Sequence, residues 1–288
     1  MNIAYILLRF FAGFLACMNQ SITAFGQNFS DTELLFLHHF FGIYQILFFM
    51  LSGRFLLAKE YADYKQFYVR RILKIGLPFI VFSFLSLTMQ IGFSVSLGFA
   101  KDFCRGFLTG TISDDFSFMY LLFTFYLVVP FLAKMVQSLD VSKRIGLLFV
   151  IGGYYTFFDF CVITDSKLSI ASFPFLNLFG YALTGYLLDY IQLSKKKERL
   201  LIIVGFFALL VSYLEIYLWP GVNWSIADFS LTRYLTAVGL WLLLSRNSFA
   251  IRIQKTDTVN DKILRLMNNS IYYFTMLVLL MLQFLTKQ

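Results

Sequence analysis

Apolar residues along this chain fall in long unbroken runs, not in the alternating or three-to-four spacing of an element half exposed to water. The runs lie at about 4–25, 33–58, 75–98, 116–133, 145–162, 168–192, 200–218, 229–245 and 269–286. A helix of roughly 20 residues crosses a hydrocarbon core of ~30 Å. The pattern therefore predicts an all-α, polytopic transmembrane bundle of nine or ten spans. An aromatic segment at 99–115, punctuated by Gly106 and Gly110, reads as a re-entrant piece, and Gly152-Gly153 is expected to break the run at 145–162. The longest hydrophilic stretch, 246–268, reads as a connecting loop with room for an interfacial helix. Nothing marks a soluble domain, so residues 1–288 are expected to form one membrane domain.

Composition agrees with the pattern. Hydrophobic residues make up 59% and charged residues 14% of the chain, whereas a soluble domain holds about 25% charged residues. The first run lacks a basic leader and carries Arg9, so it reads as a retained span and not as a cleaved signal. The net charge of +8 would suggest nucleic acid in a soluble protein. Here 17 of the 24 Lys and Arg fall in the segments 59–74, 134–144, 193–199 and 246–268, all on one side if the spans alternate. The positive-inside rule then puts the N-terminus in the cytoplasm and makes membrane lipid, not nucleic acid, the bulk partner. The run Lys195-Lys196-Lys197 reads as a topology anchor. Three widely spaced cysteines suit small core residues better than a disulfide framework. No phosphate-binding glycine loop, nucleophile elbow or zinc-protease motif is present.

The polar residues inside the runs carry the candidate chemistry, because ionisable groups at membrane depth are costly and usually functional. The segment His38 to Pro78 is the richest, with two histidines near one end of its apolar run and Ser52-Gly53-Arg54 near the other. Arg70, Arg71 and Lys74 follow. Together with Arg9 in the first run, Arg54, Arg70, Arg71 and Lys74 would form a cradle for a polyanion such as a nucleotide or coenzyme phosphate. Arg9 has an alternative, which is to snorkel to the headgroups. Arg9 and Gln20 are eleven residues apart, close to three helical turns, so they share a face of the first span.

His38 and His39 are the chain's only imidazoles, and they read either as interfacial residues or as an acid/base group. No acidic residue lies at ligand spacing in the same run, so no metal is expected. Toward the other side, Glu215 and Arg233 sit at similar depth around a connection holding Trp224. They are either a structural ion pair or one wall of an acceptor cavity in which Trp224 stacks on a sugar. Asp159 lies on that same half, and Asp189 reads as interfacial.

With these residues in view, the chain resembles the membrane acyltransferase-3 family across nearly its whole length. The likeness is carried by Arg9, by Phe48-Phe49-Met50-Leu51-Ser52-Gly53, by Arg71-Ile72-Leu73-Lys74-Ile75 with Pro78, by Phe125-Tyr126-Leu127 with Pro130, and by Gly180-Tyr181 and Gly185-Tyr186, in that order. The resemblance implies a bacterial plasma-membrane enzyme that transfers an acyl group, acetyl from acetyl-CoA, to a hydroxyl of an envelope polysaccharide or glycolipid. It also implies an alternative: a non-catalytic relative that exports or handles a lipid-linked or polymeric saccharide. Two departures stand out. The family's first-span histidine, the group expected to be catalytic, falls on Gln20, and the last span runs from Ser270 through Tyr273-Phe274 to Leu277 without its usual histidine. Glutamine has no titratable proton, so an enzymatic member would need His38 or His39 in that role.

Overall fold

The computed structural model describes residues 3–25, 30–92, 97–112, 117–164, 174–218 and 230–246. All the regular structure among them is helical: α1 (Ile3–Phe25), α2 (Asp31–Phe41), α3 (Ile43–Leu56), α4 (Tyr64–Arg71), α5 (Leu77–Ile91), α6 (Leu97–Thr109), α7 (Ser117–Gln137), α8 (Val141–Ile163), α9 (Pro174–Tyr190), α10 (Lys195–Leu218) and α11 (Leu231–Arg246). Six helical stretches among the described residues are long and apolar enough to cross a membrane. Helices α9 and α11 are shorter, 17 and 16 residues, yet they line the interior. Residues 179–188 of α9 are buried without interruption. Outward-facing Phe149, Phe160, Phe207 and Leu210 remain exposed, as expected of a surface covered by lipid. The predicted ninth run, 269–286, lies outside the described residues.

Close packing at small residues sets the register of the interior. A Cβ on Gly53 of α3 would fall on the backbone of Ala182 in α9, and one on Gly185 of α9 on the backbone of Met50 in α3. Between α10 and α11, a Cβ on Gly205 would sit 2.8 Å from the Gly239 Cα. Without a strong hydrophobic force between helices in lipid, such backbone-to-backbone approach is what dispersion can use.

Two expectations change. Residues 64–74 are not loop: α4 continues through a π-helical turn, Ile72–Gly76, into α5. Leu77 N–H bonds to Ile72 O, five residues back. Pro78 follows in the first turn of α5. It offers no N–H to Lys74 O, and its ring would crowd that carbonyl in a regular turn. Widening to a π turn relieves both. Gly152-Gly153 does not break α8, which runs unbroken across them with open space at each Cβ position. Segment 99–115 holds a helix, α6, whose Phe99 and Phe103 pack on Phe84 of α5 at 5.6 and 5.7 Å between ring centroids.

The basic segments gather at one end of the bundle. Gln137 at the end of α7 donates to Leu57 O at 2.7 Å and Lys59 O at 3.1 Å, just past α3. Arg246 at the end of α11 pairs with Glu198 at the start of α10 and donates to Leu188 O and Ile191 O at the end of α9.

Candidate functional site

At this basic end, side chains from four helices meet. The Arg71 guanidinium lies over the Tyr126 ring of α7 at 5.3 Å and over Phe67 at 5.5 Å. The Tyr126 hydroxyl shares a hydrogen bond with Ser52 of α3. Arg9 of α1 lies over Phe55 at 5.6 Å and within electrostatic reach of both Tyr126 and Arg71. Arg71 ends α4 where the π turn begins, so the distortion that Pro78 imposes sets the angle at which its side chain enters. Among the described residues Arg71 has no carboxylate within ion-pair distance. Tyr61, in the α3–α4 connection, is pushed by burial up to about 12, against the opposing charge of Arg71. It therefore stays a donor at neutral pH, bonded to Leu56 O at 2.7 Å. Two like-charged guanidinia beside two hydroxyls, around one interior point, suit a multiply charged anion.

Arg54 is used differently. It pairs with Asp189 at the end of α9, and Tyr5 of α1 donates to the same carboxylate at 2.5 Å. Asp189, at the end of α9, is thus the counter-ion of Arg54. The Arg54 guanidinium also lies over Tyr5 at 5.6 Å and Tyr190 at 5.4 Å. Arg144 of α8 approaches the same Tyr190 ring at 5.6 Å. Arg70 and Lys74 are exposed. Of the five expected cations, the structure brings Arg9 and Arg71 together, commits Arg54 to a carboxylate, and leaves Arg70 and Lys74 on the rim.

The opposite end holds the histidines. Asn19 Oδ1 on α1 lies 3.2 Å from His38 Nδ1 on α2. An amide oxygen can only accept, so Nδ1 carries the proton and the ring lone pair sits on Nε2. Gln20 is the next residue of α1, half-buried. His39 is 4% exposed, and its Nε2 has no hydrogen-bond partner among the described residues.

Helices α2 and α3 meet at Gly42, where a Cβ would come within 2.6 Å of Arg233 Nη2. Arg233 of α11, 5% exposed, fills that notch. It donates to His39 O at 2.9 Å and to His38 O at 3.2 Å. A cation on the last carbonyls of α2 is favoured by the helix dipole. Glu215 of α10 accepts from the Thr232 hydroxyl at 3.2 Å. Asp159 of α8 accepts from Leu231 N at 2.7 Å, and Ser230 from Arg233 N at 3.2 Å, which caps the start of α11. Glu215 and Arg233 thus lie in one buried polar group built around this cap, and Trp224 lies outside the described residues.

A family model for an acyltransferase domain, acyltransferase-3, matches residues 2–287. The chain belongs to the acyltransferase-3 family. No curated protein and no solved structure matches it. Read as an acyltransferase-3 protein, its resemblance-bearing segments have a spatial logic. Arg9, Ser52, Arg71 and Tyr126, from four separate segments, converge at the basic end, while Gly53 and Gly185 hold α3 against α9. Tyr181 stacks on Tyr155 at 4.8 Å inside the bundle.

Sequence reasoning missed Tyr126 and Ser52 as site residues, although both stand in the segments that carry the resemblance. Arg144 was counted only as a loop cation. No local signal separates Arg144 from Lys143 beside it, which stays exposed.

Proposed function

We propose that this acyltransferase-3 protein transfers an acyl group, acetyl from acetyl-CoA, to a hydroxyl of an envelope polysaccharide or glycolipid in a bacterial plasma membrane, with its N-terminus and basic end in the cytoplasm. The observation that carries the reading is the arrangement along α1. Arg9 stands in the cation site, and Asn19, ten residues on, holds His38. Ten residues correspond to about 15 Å of helix rise. A donor with a polyanionic head and a thioester at the end of a long thin arm suits two sites so separated. Arg9 and Arg71, with the Ser52 and Tyr126 hydroxyls, would hold phosphate oxygens of the donor.

At the other site His38 would act as general base. Its Nε2 takes the proton of the acceptor hydroxyl, and the hydroxyl oxygen attacks the thioester carbonyl carbon. A C–O bond forms, the C–S bond breaks, and the departing thiolate takes the proton from the imidazolium. Asn19 keeps Nδ1–H donated, so Nε2 faces the task in the correct tautomer. His39, enclosed and lying against Arg233, would serve the packing at the α2–α3 junction and not the reaction. Glu215 and Thr232 are the polar groups available to an acceptor hydroxyl on that side.

The test is transfer of label from acetyl-CoA into the envelope glycan fraction by purified protein, compared with the Arg9→Gln and Arg71→Gln variants. The reading expects transfer by the parent protein and a raised KM for acetyl-CoA in both variants. No transfer under any condition, with glycan retained inside a deletion strain, would overturn it in favour of saccharide export.

A further inference from the structure

The guanidinia of the basic end do not stop at Arg9. Arg71 lies over Tyr126; Arg9, next to it, lies over Phe55; the Phe55 ring meets Tyr5 edge-on at 5.4 Å. Arg54 lies over Tyr5 and Tyr190, and Arg144 over Tyr190 and Tyr186, the last at 5.9 Å. Four arginines thus intersperse with aromatic rings across the end of the bundle, and Arg54 pairs with Asp189.

Arg144 is the unexplained member. Its Nε is buried without a hydrogen-bond partner among the described residues, and it has no carboxylate within ion-pair distance. Stacking on Tyr186 and Tyr190 occupies the face of a guanidinium and leaves its in-plane N–H donors to be satisfied by an acceptor. A buried charged donor without one is costly, so the group reads as prepared for a ligand. The contacts from Arg144 to Arg9 run through Tyr190, Arg54, Tyr5 and Phe55 in turn, so a single phosphate held by the Arg9–Arg71 pair does not account for Arg144.

We infer that Arg144, backed by Tyr186 and Tyr190 beside the Arg54–Asp189 pair, forms a second phosphate subsite, and that it takes the ribose 3′-phosphate of the donor while Arg9 and Arg71 take its diphosphate. The inference rests on the proposed acyl-CoA donor. It makes the subsite a determinant of donor class, because it distinguishes a donor carrying a separate phosphomonoester from one that lacks it. The same phosphate chemistry could be supplied by an anionic lipid headgroup, and the test separates the two.

The measurement is binding of CoA and of 3′-dephospho-CoA to the full chain in zwitterionic nanodiscs, for the parent protein and for Arg144→Gln and Arg144→Lys. The parent should prefer CoA by about tenfold or more, the worth of a charge-assisted contact. Arg144→Gln should abolish that preference by weakening CoA alone, and Arg144→Lys should restore part of it. Equal affinity of the parent for both ligands overturns the subsite, as does an Arg144→Gln variant that weakens both equally. Loss of the CoA preference on adding phosphatidylglycerol, with Arg144→Gln insensitive to that lipid, assigns the site to a headgroup and also overturns it. Binding of neither nucleotide by a folded parent protein sinks the donor reading itself, and this inference with it.

Discussion

His38 Nδ1 on α2 lies 3.2 Å from Asn19 Oδ1 on α1, the residue that precedes Gln20, where the family resemblance leads one to expect the histidine. A catalytic ring can reach one point of a bundle from more than one helix, provided that something orients it. In the proposed mechanism Asn19 would have that role, while Arg233 donates to the His38 and His39 carbonyls at the end of α2.

The two histidines should therefore separate cleanly. His38→Ala is expected to lower kcat for transfer by about a hundredfold or more, the ordinary contribution of a positioned base. Asn19→Leu should lower kcat by a smaller factor, leave KM for the donor unchanged, and be rescued by Asn19→Asp. His39→Gln should keep most of the activity while shifting the unfolding temperature. Steady-state kinetics on the four variants checks the set.

The cation site predicts graded effects on donor KM. Arg9→Gln and Arg71→Gln should each cost about 1.5–3 kcal/mol, or about 10- to 150-fold. Arg70→Gln and Lys74→Gln, at exposed positions, should stay within about 0.5 kcal/mol. If Arg70 proves as sensitive as Arg71, the donor lies on the rim and not at Tyr126.

Much of this was legible in the chain, and the rest was not, for identifiable reasons. Unbroken apolar runs gave the helical membrane class directly, because only hydrogen-bonded helices or closed barrels satisfy a backbone in hydrocarbon. The π turn was hidden because the apolar run begins only at about residue 75, after a charged segment, whereas α4 ahead of it leads directly into α5. Gly152-Gly153 looked like a break, but glycine at an open helix face costs only about 1 kcal/mol each. The Arg54–Asp189 pair joins residues far apart in sequence, and it depends on the α3–α9 register that Gly53 and Gly185 set. No local pattern encodes that register.

Packing gives a stability prediction independent of activity. Gly53→Ala places a methyl group on the Ala182 backbone and should destabilise the protein by about 1–3 kcal/mol or more. Gly152→Ala meets nothing within 4 Å and should be neutral or stabilising by up to about 1 kcal/mol. Thermal unfolding in detergent compares the two.

Arg233→Met removes the donors to the His38 and His39 carbonyls while keeping an apolar stem in the Gly42 notch. It should lower kcat and leave donor binding intact, because the cation site lies at the other end of α1. A donor Kd that changes together with kcat would place Arg233 in binding instead.

The most direct test of the account is a single-turnover measurement of acetyl transfer from saturating acetyl-CoA by His38→Ala, with CoA affinity measured on the same preparation. The account predicts that affinity is retained and that transfer falls by about a hundredfold or more. Transfer at the parent rate in His38→Ala would contradict it.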